Sequence, residues 1–307
     1  MFDLRYHAAS LVAVFLALAV GVLLGVAISG KVSDTQESAQ QAIIDQLNKD
    51  LDRERERTAE AGRRGEAAER LVAEAYPVLM EGRLEGKQFA LLFLGGVGGE
   101  LRSAVERALA DAGSGAPIRM TALALPIDPE PLEDYLAGRA DLSSIVLDDV
   151  GDLGRGLAIE LVEGGSTPLW NALAAELVEE RAGATFLAAD GAIVVRSWIP
   201  GTSGDIDVVT RRRATETLIA GLLDGLDAAG VPVVGVETAT TPADESAIDL
   251  YRGHGVSSVD DVDTAGGRLA LALLLAGGKP GHYGVKESAS DGVTPPIEPV
   301  PAEPGAS

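Results

Sequence analysis

The chain has no cysteine. That excludes disulfides, cysteine-based zinc sites, thiolate metal centres and cysteine nucleophiles. The fold must therefore be held by its core alone. Histidine is almost as scarce, with only His7, His254 and His282. Basic residues are outnumbered: 25 Lys and Arg stand against 47 Asp and Glu, for a net charge of −22. Nucleic acid is excluded as a partner on that balance, because phosphate neutralisation needs clustered Lys and Arg. The sequence also lacks GxxxxGK[ST], GxSxG and HExxH. No catalytic residue is assigned, and the chain reads as a non-enzyme.

What is present begins with Ala8–Ile28, 21 uncharged apolar residues in AASLVAVFLALAVGVLLGVAI. A helix of that length spans roughly 30 Å, the thickness of a bilayer's hydrocarbon core. The expectation is a single transmembrane anchor over residues 1–30, in contact with membrane lipid. Arg5 and the chain amine favour a cytoplasmic N-terminus and Lys31 opposes it; the balance puts the bulk of the chain outside the cytoplasm. A cleaved signal peptide is the competing reading. Small residues recur every four positions at Ala9, Ala13, Ala17, Gly21, Gly25 and Ser29. Gly21 and Gly25 form a GxxxG pair, so this face is a candidate dimer contact.

Residues 31–80 read as a helical stalk. Ile44, Leu47, Leu51, Thr58, Ala61, Ala68, Val72, Ala75 and Leu79 follow a 3–4 spacing, a heptad seam interrupted at Glu54 and Gly65. Either a solvated stalk or a parallel coiled coil satisfies the pattern, and the second implies a homodimer or higher homo-oligomer. Pro77 marks an end or a kink.

At Gly86 the composition changes. QFALLFL at Gln88–Leu94 has strand length, and GGVGG and a helical pattern over Glu100–Ala112 follow it. Strand, glycine turn and helix is how a βαβ unit begins. Further strands are expected at Ile118–Leu125, Ala192–Trp198, Pro232–Glu237 and Val256–Val259, with a short apolar run at Leu142–Leu147. Helices are expected at Leu132–Leu136, Leu153–Val162, Pro168–Arg181, Thr210–Ala229, Ser246–Arg252 and Gly266–Ala276. Residues 85–283 thus form an α/β domain with a mainly parallel, Rossmann-like sheet. Residues 284–307 are Pro-rich and aperiodic, and read as a disordered tail.

Chemistry is thin along this domain. GGVGGE lacks the third glycine of the dinucleotide fingerprint, Leu101 standing in its place, so it reads as a turn. Arg211–Arg213 at a helix start is either an anion contact or a solvated face. Asp260, Asp261 and Asp263 resemble a hard-cation cluster, but Asp263 or Thr264 is well placed to cap the last helix.

LRYHAASLVAVFLALAVGVLLG at the start, GKQFALLFLGG, and VSSVDDVDTAGGRLALALLLAGGKPGHYG near the end resemble the actinobacterial MctB family, named for copper transport. The resemblance covers nearly the whole chain apart from the tail. It implies a membrane-associated envelope protein acting in copper export and homeostasis, and carries over no set of copper ligands. Copper(I) prefers Cys or Met, and Met1, Met80 and Met120 are widely separated. Nor are there the repeated ten-residue strands of an outer-membrane barrel. His254 and His282, in GHG and GHY, are the candidate metal residues. No resident cofactor is expected, copper being the one possibility. The alternative to copper handling is a non-enzymatic envelope scaffold that binds an envelope protein, for instance in cell-wall or division assembly.

Overall fold

The computed structural model describes residues 4–28, 34–139, 149–201 and 204–299. The chain divides into two compact units, Met1–Ala67 and Ala68–Ser307. The apolar run at Leu142–Leu147 lies outside the described residues.

Two helices account for the first unit, α1 (Leu4–Ile28) and α2 (Asp34–Met80), the second continuing into the next unit. The expected transmembrane anchor is not supported: among the described residues no helix is long and apolar enough to cross a membrane. Pro77 lies in the last turn of α2, which ends three residues later at Met80.

The second unit is built on a seven-stranded sheet. The first strand, β1 (Phe89–Leu94), is FALLFL, and all six side chains are buried. It pairs in parallel with β2 (Arg119–Leu123) on one side and β4 (Gly191–Arg196) on the other. Beyond β4 lie β5 (Val233–Val236), β6 (Ser257–Val259) and β7 (His282–Tyr283), all parallel; beyond β2 lies β3 (Val178–Gly183), antiparallel. The order is β3-β2-β1-β4-β5-β6-β7. With β3 set aside, this is the doubly wound order, in which the chain moves outward in opposite directions from β1 and β4.

A sheet buried on both faces must be covered on both, and alternation along the strands decides what each cover meets. Ala90, Leu92 and Leu94 of β1, with Ala192 and Val194 of β4, face one core that includes α4 (Pro129–Ala137), α5 (Val150–Glu163) and α8 (Ile206–Ala228). Phe89, Leu91 and Phe93, with Ile193 and Val195, face the other, which includes α3 (Gly99–Asp111), α10 (Ala265–Leu275) and Met80 at the end of α2. There Tyr76 is clamped: its hydroxyl donates to Asp111 at 2.8 Å, and the Arg268 guanidinium lies 5.3 Å from its ring. The loss of exposure and the Asp111 carboxylate together push the Tyr76 hydroxyl up to about 12.

Two expectations change here. Thr167–Pro168 does open a helix, α6 (Pro168–Ala172), and α7 (Ala174–Leu177) follows, but the helix expected to run to Arg181 stops at Leu177. VEERAG instead becomes β3, because Val178–Gly183 finds the free edge of β2. The residues are good helix formers, so pairing across the sheet overrides local propensity. The tail expected to be disordered is, over residues 284–299, held in place. Gly284 N–H donates to Gly292 O at 3.0 Å, Asp291 N–H to His282 O at 3.1 Å and Arg83 to Glu298 O at 3.0 Å. A Pro-rich composition excludes regular structure here without excluding these specific backbone contacts.

The α5–α8 packing depends on absent side chains. A Cβ at Gly154 would lie 2.4 Å from Leu218 O, and one at Gly221 would lie 2.0 Å from Gly151 O. Gly221→Ala should therefore push the helices apart and cost about 1–3 kcal/mol or more. Urea unfolding should show a lowered midpoint, whereas Gly230→Asn, at an open positive-φ turn, should leave it within about 1 kcal/mol.

Candidate functional site

In doubly wound sheets ligands sit outside the carboxyl ends of the strands, at the point where strand order reverses. Here that point lies between β1 and β4, and the chain's own backbone closes it. The N–H groups of Ser197 and Trp198 donate to Leu94 O at 3.0 and 2.8 Å. Gly95 has φ +115°, and a Cβ there would stand 2.7 Å from Trp198 N. GGVGG is thus glycine-rich at its first position for close approach to Trp198. The Glu179 carboxylate stands beside Gly96, a charge of the wrong sign for a pyrophosphate.

Toward β2 the carboxyl edge opens into a cavity of about 430 Å³, lined by Leu125, Ile127, Asp128, Leu132, Glu176 and Glu179. Its polar groups are acidic. Arg211, the first of the three expected anion-contact arginines, reaches Asp128 at 2.5 Å, and Arg212 donates to Gly201 O at 3.2 Å. Two of these cations are therefore spent inside the protein.

Toward β6 the edge is filled by the C-terminal strap. Glu237, 4 % exposed, follows β5 and accepts from Lys286 Nζ at 2.8 Å, from Ser246 Oγ at 3.0 Å and from Ala247 N–H at 3.1 Å. Asp260, 1 % exposed, follows β6 and accepts from Val285 N–H at 2.8 Å, Lys286 N–H at 3.2 Å and Ser288 Oγ at 3.3 Å. Residues 285–288 thus supply the countercharge for Glu237 and the hydrogen bonds of Asp260, two carboxylates that would be costly to bury alone. Sequence reasoning passed over Lys286, since a lone lysine in a Pro-rich stretch carries no periodic signal.

The remaining aspartates act within the fold. Thr264 Oγ1 accepts from Gly267 N–H at 3.0 Å and caps α10, as the sequence suggested. Asp263 accepts from Ala239 N–H at 2.7 Å. Asp261 accepts from the Thr264 hydroxyl at 2.9 Å, but its Oδ1 is buried without a partner. Burial, then the charges of Asp260 and Asp263, push its carboxyl up to about 6.

The histidines lie at the other end of the sheet, where β6 and β7 begin. His254 caps α9 (Ile248–Gly253), with Nδ1 2.6 Å from Asp224 Oδ1. The His282 Nδ1 is 2.8 Å from Ser258 Oγ, and its neighbour across the ladder is Ser258. Burial first, then Arg252, hold the His282 imidazole below its ordinary range. Met80 and Met120 are both buried in the core on the α3–α10 side. Among the described residues, no group of three or more His, Cys, Asp or Glu side chains is placed to hold a metal ion. Within α1, Gly21 has nothing within 4 Å; the surroundings of Gly25 lie outside the described residues.

Another residue that the sequence did not single out is Arg119, 4 % exposed at the start of β2. It donates to the carbonyls of Glu160, Leu161 and Leu187, tying β2 to α5 and to the loop between β3 and β4. Desolvation lowers its pKa.

The Asp261 geometry has a pH signature. A folded-state pKa near 6 against an ordinary 3.8 means the folded protein holds this proton more tightly than the unfolded chain. Its contribution to stability is full below about pH 4 and is lost as pH rises to about 6, by roughly 2–3 kcal/mol. Asp261→Asn should remove that portion of the slope in denaturation curves taken between pH 4 and 7.

Comparison with known proteins places this architecture. A family model described as "Copper transport outer membrane protein, MctB" matches residues 1–295. The proteins named Copper transporter MctB in Mycobacterium tuberculosis and Mycobacterium bovis are each 29% identical over 317 residues, covering 94% of this chain and 98% of theirs. The match runs from α1 through the sheet and into the C-terminal strap, and on that extent the chain belongs to the MctB family.

Proposed function

We propose that this chain serves copper homeostasis at the cell envelope. The observation that carries the reading is the family match over residues 1–295, under a description that names copper transport and the outer membrane. The same description names a transport protein and no enzyme.

The donor chemistry shapes how that role is performed. A tight copper(I) site needs two or three soft ligands with a supporting shell. Met80 and Met120 are packed in a core, and His254 and His282 each engage Nδ1 with a neighbour. On this reading copper is the cargo or the stress to which the protein responds, and one chain does not hold it as a resident ion. His254 and His282 remain the candidate contacts, through the ring nitrogen that does not meet Asp224 or Ser258.

A second reading, an envelope scaffold that binds another protein, is favoured by α2. From residue 46 to residue 71 every side chain of this helix is exposed, so the helix is not there to complete a core. Under this reading the effect on copper passes through the envelope or a partner.

Titration of the purified full-length chain with copper(I), in competition with a chelator of known affinity, separates the two. We expect no stoichiometric site, and no change with His254→Ala or His282→Ala, while loss of the protein in its host still alters copper tolerance. Stoichiometric binding abolished by either substitution would establish direct copper handling and displace the scaffold reading. Unchanged copper tolerance on loss of the protein would remove the copper role itself.

A further inference from the structure

α2 is 47 residues long, roughly 70 Å of helix. Leu47 is 62% exposed, Leu51 47% and Leu71 68%. The ion pairs along it are local and exposed: Arg53–Asp50, Arg55–Asp52, Arg57–Glu54 and Arg64–Glu60. Solvent screening leaves each such exposed pair little stabilising effect. A solitary helix of this kind leaves its leucines in water for no return. The last turns, from Val72, are part-buried by the unit to which they belong; the stretch before them has no cover among the described residues.

The sequence register says what would cover it. With Leu47 at d, Leu51 falls at a, Glu54 at d, Thr58 at a, Ala61 at d, Gly65 at a and Ala68 at d. The flanking g positions are then Asp50, Arg57 and Arg64, and the e positions are Arg55, Gly62 and Glu69. In a parallel, in-register pair, each g residue meets the e residue five places later on the partner helix. That brings Asp50 to Arg55 and Arg64 to Glu69, opposite charges both times, while Arg57 faces Gly62 and meets no like charge. Leu47 and Leu51 supply the apolar contact, and Thr58, Ala61 and Ala68 leave room for close approach of the backbones.

We propose that α2 is the interface for a second copy of this chain, joined as a parallel, in-register, two-stranded coiled coil over about residues 47–68. The register is specified by the two g–e ion pairs. The seam has two weak points: Gly65, which brings no side chain to an a position, and Glu54, a carboxylate brought in at d, with Arg57 Nη1 of the same chain 3.4 Å away to neutralise it. The proposal shares the exposed α2 face with the scaffold reading, but does not depend on whether copper is bound.

The absence of cysteine makes the full-length chain its own background for single-cysteine crosslinking. In a parallel in-register pair, identical a or d positions meet along the whole seam, within the Cα separation of about 4.4–6.8 Å that a disulfide tolerates. Leu47→Cys, Leu51→Cys and Ala61→Cys should each give a disulfide-linked dimer under mild oxidation. Lys49→Cys and Glu56→Cys, on the outer face, should not. In sedimentation of the full-length chain in mild detergent, Asp50→Arg should weaken association about threefold or more, and Asp50→Arg with Arg55→Asp should restore it. Glu54→Leu should tighten association roughly tenfold. Crosslinking at every face or at none overturns the proposal. So does crosslinking at one position only, which indicates antiparallel helices, or a charge exchange that fails to restore association. An unchanged thermal transition of the α/β unit shows that the variants remain folded. A failed copper titration leaves all these outcomes untouched.

Discussion

β1 is buried on both faces, and nearly every feature of the second unit follows from covering it. A six-residue strand of Phe, Ala and Leu has no solvent side, so it must be central, flanked by strands and sandwiched by helices. β2 and β4 take its two edges. The helix after β1 goes to one face and the helix after β4 to the other, giving the doubly wound order. On the α5–α8 face, cover is achieved by removing side chains: Gly154 and Gly221 let helix backbones approach where any Cβ would collide. On the opposite face it is achieved by Leu-rich α10, by α3 and by the last turn of α2, where Tyr76 is held between Asp111 and Arg268.

The second constraint is electrostatic. A chain with net charge −22 has acid to spare, and some of it lies where strands end. Glu237 and Asp260 are buried at the carboxyl edge, and each would be costly alone. The strap makes them tolerable by delivering Lys286 and three further donors, which also fills the place where doubly wound folds commonly admit a ligand. The switch point between β1 and β4 is likewise closed by Ser197 and Trp198. The opening that remains, next to β2, is acidic. This is a fold whose usual ligand edge has largely been turned to structural use.

The donors that could meet copper are dispersed among the described residues. Met80 and Met120 are in the core, and His254 and His282 are at the opposite end of the sheet from the acidic edge, each engaged with a neighbour. The surface with unspent capacity is α2, whose leucines and ordered charges are exposed. Its complementary g and e residues match those of an identical helix.

Much of this was legible in the residues. FALLFL could only be a buried strand, Pro168 could open a helix but not continue one, and Thr264 could cap α10, because each depends on local sterics and hydrogen bonding. The heptad spacing of α2 was equally plain, since helical periodicity is written directly into side-chain order. Other features depended on partners far away in the chain. VEERAG became a strand because β2 had a free edge. Residues 284–299 became ordered because Asp260, His282 and Arg83 met their backbone. Lys286 mattered because Glu237, 49 residues earlier, was buried beside it. The apolar run of α1 suggested a membrane span that the described helix does not support. Sequence alone determined the class of fold, the strands of the core and the scarcity of metal donors, through local propensity and composition. Only the tertiary structure decided which charges are buried and paired and which edge is closed, because those depend on distances between residues that no spacing along the chain encodes.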